Sequence, residues 1–132
     1  MGPTKEPTIQ MPAEPTDKQI VDGVRSWLDL LAAGNYAAAD AAIHWPGVQN
    51  SDVEQLRKRI EGFFGPDSAA PVVRPTENVL ERTEIYRTGI PNDCKAVVGF
   101  FIPLANNLGI WTTFIVRSQH NHTYFEFEIF HA

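Results

Sequence analysis

The chain has 132 residues, 43% of them hydrophobic and 20% charged, which is enough to bury a core without disulfides or metal. Its net charge of −5 is spread along the chain, which argues against nucleic-acid binding, since that needs a basic face. A single cysteine, Cys94, excludes an internal disulfide and a thiolate metal cluster.

The first 15 residues carry four prolines and almost no apolar periodicity, and read as a flexible extended tail that needs a docking surface to become ordered. They lack the basic-then-apolar order of a signal peptide. Gly2 is followed by Pro3, and Glu6 stands where an N-myristoylation signal has Ser or Thr. No apolar run approaches the ~20 residues of a membrane helix, so the expectation is a cytoplasmic protein with no membrane partner.

Thr16-x-x-Gln19 fits a capping box and opens a first helix, with Asp17 favoured at the positive end of its dipole. Ile20, Val24, Trp27, Leu28 and Leu31 follow at helical spacing and give it one apolar face. Gly34 stops this helix and Asn35 caps a short second one, "YAAADAAI". After the break at Pro46 and Gly47, Ser51-x-x-Glu54 opens a third helix that runs through Val53, Leu56, Ile60 and Phe63 to Gly65. Residues 65–76 hold three prolines and no period, and read as a loop.

From about Asn78 the pattern becomes that of strands: "VLERTEIYRT", "CKAVVGFFIPL", "IWTTFIVRS" and "HTYFEFEIF". Their connectors, "GIPND", "ANNLG" and "QHN", are short and turn-forming, which predicts an antiparallel meander. The fold class is therefore α+β: three N-terminal helices packed on a curved antiparallel sheet of at least four strands, in one domain over residues 16–132. Alternation in the last strand puts Thr123, Phe125, Phe127, Ile129 and His131 on the buried face, and Glu126 and Glu128 on the other.

This order of elements resembles the nuclear transport factor 2-like superfamily of cone-shaped α+β domains. "WLDLLAAGNYAAAD", "HWPGVQNSDVEQLRKRIEGFFG", "VVGFFIPLANNLGIWTTFIVRS" and "HTYFEFEIFHA" carry the likeness. The group includes polyketide cyclase-like and steroid isomerase-like enzymes beside many members that are not enzymes. The resemblance implies a cavity between the helices and the concave sheet face, and in the enzymes a carboxylate or histidine inside it that transfers protons.

Placed on such a cone, Trp27, Tyr36, Trp45, Phe100, Trp111, Phe125 and Phe127 either line a pocket for a small apolar or aromatic ligand or fill a compact core. His131 is a candidate general base with Asp40 as its orienting acid, or else a rim residue at the chain end. Arg117 can bind a ligand carboxylate if it points inward, but the apolar run "FIV" before it leaves the direction of its strand open. Asp40 and His44, four apart on the second helix, read either as a metal-binding pair or as a surface pair. His120 and His122 fall in a turn, and Arg57, Lys58 and Arg59 solvate a helix face. No phosphate loop, catalytic triad order or nucleophile elbow occurs, and nothing calls for a cofactor or a metal.

Two functions follow. The first is a small-molecule-binding domain, extending to a cofactor-free isomerase, cyclase or dehydratase. The second is a non-catalytic interaction module, such as an immunity or accessory protein. A homodimer through the outer sheet face suits either, with Tyr124 and Phe130 among the glutamates giving that face apolar grip. The two diverge on whether ionisable groups converge on an open cavity or the core is closed beneath an organised surface.

Overall fold

The computed structural model describes residues 7–44, 72–90, 93–105, 109–119 and 122–131. In chain order these form β1 (Gln10–Met11), α1 (Asp17–Ala32), α2 (Tyr36–Ala42), α3 (Glu77–Glu81), β2 (Glu84–Tyr86), β3 (Ala96–Pro103), β4 (Gly109–Gln119) and β5 (His122–His131). The predicted third helix over residues 51–65, and Arg57, Lys58 and Arg59 on it, lie outside the described residues.

The capping box at α1 is complete. The Gln19 amide donates to the Thr16 hydroxyl at 3.2 Å, and the Thr16 amide donates to the Gln19 side chain at 2.8 Å. At the other end Gly34 takes φ +74, a left-handed conformation natural to glycine. The Gly34 amide then reaches the Leu31 carbonyl at 3.0 Å and the Asn35 amide the Leu30 carbonyl at 2.9 Å. Ile20, Val24, Trp27, Leu28 and Leu31 are all buried, so α1 presents the apolar face that its spacing predicts. Gly23 sits on the same face because a Cβ there would lie 2.7 Å from the Phe125 ring; its absence lets α1 approach β5 closely.

The sheet is antiparallel throughout, in the order β1-β5-β4-β3-β2, so the four C-terminal strands form the predicted meander. Its inner face carries Ala96, Val98, Phe100 and Ile102 on β3, Thr112, Phe114 and Val116 on β4, and Thr123 and Phe125 on β5, all buried. This face packs with α1 and α2 into one apolar core.

Four expectations change. Val79–Glu81 do not begin a strand, because Thr76 caps a helix by accepting from the Val79 amide at 3.3 Å, and the strand starts at Glu84. Within the first 15 residues, Gln10 and Met11 pair with Tyr124 and Thr123 and add a fifth strand to the sheet. Just before them, the Thr8 and Ile9 amides donate to the Ala41 and Ala42 carbonyls at 3.1 and 3.2 Å. His44 does not extend α2, which ends at Ala42; it turns into extended backbone and bridges β5 in parallel at Glu126, so it shares no helical face with Asp40. Finally, the register of β4 and β5 shifts between Thr113 and Phe114, whose partners are Ile129 and Phe127, so Glu128 is bulged. Past the bulge His131 pairs with Trp111 and Phe130 with Thr112.

Candidate functional site

The space between α1 and the inner sheet face is filled by aromatic rings. Trp27 meets Phe114 edge-on with centroids 4.9 Å apart and Phe100 at 6.0 Å; Phe100 meets Phe114 at 4.8 Å and Phe114 meets Phe125 at 5.2 Å. None of the four is more than 1% exposed. The Trp27 indole N–H donates to the Ala39 carbonyl at 3.0 Å, which satisfies the one polar atom of the cluster and ties α1 to α2. Trp27, Phe100 and Phe125 therefore come together as packed core. Phe127 is partly buried against the same cluster, and Phe114, not singled out from the sequence, is its centre. The side chains of Tyr36, Asp40 and His131, and the whole of Trp45, lie outside the described part of the structure. Among the described residues the buried polar side chains are Thr112, Thr123 and Glu126, and the one carboxylate of the three belongs to the opposite face.

That outer face collects the ionisable groups. Register settles the direction of β4: Thr112, Phe114 and Val116 point inward, while Trp111, Thr113, Ile115 and Arg117 point outward. Trp111 and Arg117 are thus not lining residues of an inner cavity. Arg117 bridges two carboxylates, with Nε donating to Glu126 and Nη1 donating to Asp93 Oδ2 at 2.6 Å. Glu126 pairs across the strands with Ile115, next to the Arg117–Tyr124 pair. Beyond it lies His44, whose Nε2 is 3.9 Å from Glu126 Oε1 and whose ring meets Tyr124 edge-on at 6.0 Å. Two backbone bonds hold His44 there: its amide donates to the Phe125 carbonyl and its carbonyl accepts from the Phe127 amide, both at 2.9 Å.

The electrostatics follow from this chain of contacts. The hydrogen bond to Glu126, and then that to Asp93, push the Arg117 guanidinium above its already high range. The same hydrogen bond from Arg117 holds the Asp93 carboxyl below its usual range, helped by Asp93's own backbone N–H. Burial pushes the Cys94 thiol up, outweighing the pull of Arg117, so the cysteine is a poor nucleophile. Burial also pushes the Tyr124 hydroxyl up, and Glu126 adds to it. Both carboxylates of the row share the one Arg117 guanidinium, which suits a structural strut more than a proton-transfer site.

Towards the β2 edge the outer face becomes aromatic. Phe101 and Trp111 pair across β3 and β4 with centroids 4.8 Å apart, and the Trp111 ring lies over Gly99, where a Cβ would come within 2.2 Å of it. A shallow depression of about 580 Å³ opens there, lined by Glu81, Arg82, Thr83, Glu84, Phe101 and Trp111. The Arg82 guanidinium stacks over Phe101, 4.7 Å from its centroid. Sequence reasoning missed this site because Thr113 to Val116 are apolar or neutral on both faces, which hides the parity of β4.

No helix among the described residues is long and apolar enough to cross a membrane. Compared with known proteins, the chain matches no family model, no curated protein and no solved structure.

Proposed function

We propose that this domain is a non-catalytic protein-interaction module, that its docking surface is the outer face of the sheet, and that a second copy of the chain occupies it. The observation that carries the reading is the contrast between the two faces. The inner face is sealed by Trp27, Phe100, Phe114 and Phe125, whereas Val97, Phe101, Trp111, Thr113 and Ile115 are half-buried on the outer one. A half-exposed aromatic pair whose rings pack on each other and over a glycine suits an interface anchor, because side chains already in contact lose little conformational freedom on docking. The outer face is also the surface through which nuclear transport factor 2-like domains, which the element order resembles, commonly pair. A cavity enzyme has less support: a ligand between α1 and the sheet must displace rings already in mutual contact, and no described ionisable group faces that space.

Sedimentation equilibrium of the wild-type chain and of Trp111→Glu tests this reading. The wild type is expected to self-associate between about 1 μM and 1 mM, and the variant to stay monomeric with an unchanged circular dichroism spectrum. A wild type that remains monomeric over that range rules the reading out.

A further inference from the structure

We infer that the pairing proposed above is keyed by charge at the β2 edge, with Arg82 of each copy seated against Glu81 and Glu84 of its partner. The inference rests on the outer face being the docking surface, and adds which side chains select a second copy over another occupant.

Charge accounting singles these residues out. Among the described residues Glu14 pairs with Lys95, Asp17 with Arg87, Glu77 with Arg25, and Asp93 and Glu126 with Arg117. Lys18, Asp22, Asp29, Arg74, Glu81, Arg82, Glu84 and Glu128 are in none of the described ion pairs, and of these only Glu81, Arg82 and Glu84, all exposed, gather around one depression. The Arg82 guanidinium carbon lies 4.7 Å from the Phe101 ring centroid, and no described carboxylate pairs with its N–H groups, so they remain available to donate. Glu84 accepts from the Tyr86 hydroxyl, a neutral donor that leaves its charge uncompensated.

Two acids and one base on the rim of one depression form a self-complementary pattern. In a two-fold contact residue i meets residue j and j meets i, so an axis through the depression sets each Arg82 against the other copy's carboxylates. The floor supports this arrangement: Phe101 and Trp111 provide apolar area beneath the charges and exclude water from them, which strengthens the pairs. A wholly basic partner is less well matched, because Arg82 shares the rim with the two acids and would repel it.

The test is a charge-swap series on the full chain, read by sedimentation equilibrium at low and high salt. Arg82→Glu alone, and Glu81→Lys with Glu84→Lys, are each expected to weaken self-association by roughly tenfold, since every substitution counts twice in an isologous contact. Combining all three is expected to restore it, and salt is expected to weaken the wild type more than either reversed form. The restored triple variant also guards against misfolding and against loss of the stack on Phe101 as explanations. A wild type that dimerises but is indifferent to Arg82→Glu and to the double reversal overturns the charge key while leaving the outer-face reading intact. A wild type that never dimerises fails the outer-face reading itself.

Discussion

Glu126 is 8% exposed although it lies on the outer face of the sheet, and its charge is tolerated because Arg117 donates to it directly and His44 approaches from the other side. Replacing it with Gln keeps an acceptor but removes the charge from one arm of the bridge, which leaves the Arg117 guanidinium, whose side chain is 27% exposed, with Asp93 as its one charged partner among the described residues. Glu126→Gln is expected to cost about 1–3 kcal/mol in urea unfolding, as for other hydrogen bonds to charged groups. Thr83 offers the opposite test. Its hydroxyl oxygen is buried and has no hydrogen-bond partner among the described residues, so Thr83→Val, which keeps the shape and removes the orphaned group, is expected to raise stability by up to about 1 kcal/mol in the same assay. Neither role was legible from the sequence. The alternation of "FEFE" correctly sends Glu126 away from Phe125, but says nothing of Arg117, which comes from another strand, or of His44, which the helical pattern of "YAAADAAI" had drawn into α2.

At the scale of elements, patterns of short period were the most readable. The capping box of α1, its buried stripe, the glycine stop and the meander follow from chemistry within four residues or from turn-length connectors. Errors arose where a single residue changes the count. Thr76 starts α3 inside a stretch whose composition favours strand, and the bulge at Glu128 shifts the register between β4 and β5. Close approach is equally invisible in sequence: Gly23 reads as a weak spot in a helix, yet it is the contact point of α1 with Phe125. Gly23→Ala gains about 1 kcal/mol of helix propensity but forces a methyl to within 2.7 Å of a fully buried ring. Overpacking of that kind costs about 1–3 kcal/mol and should win, giving a net loss of stability in thermal or urea unfolding.

For the molecule as a whole, the charges act less as a site than as ties between distant parts of the chain. Asp17 with Arg87 and Glu14 with Lys95 fasten the start of α1 and the segment before it to the residues after β2 and before β3. Asp93 has a depressed pKa in the folded state, so its contribution is present above the ordinary value of 3.8 and is lost as pH falls below it. The Cys94 thiol and the Tyr86 and Tyr124 hydroxyls are pushed up, so their contribution is complete below their ordinary values of 9.0 and 10.0 and is lost as pH rises past them. Melting temperature against pH should therefore form a plateau bounded by an acid and an alkaline fall. Asp93→Asn should blunt the first and Tyr124→Phe the second. A flat profile for the wild type below pH 4 would show that Asp93 is not tied to Arg117 in solution.

The central claim, a sealed inner face and an outer face that docks a second copy, can be read from two indole N–H signals in one NMR dilution series. Trp111 belongs to the outer aromatic pair, and Trp27 is buried with its N–H on the Ala39 carbonyl. Across about 10 μM to 1 mM, the account predicts that the Trp111 signal moves with concentration along a saturating curve while the Trp27 signal stays fixed. A fixed Trp111 signal, or a Trp27 signal that moves in its place, would contradict it.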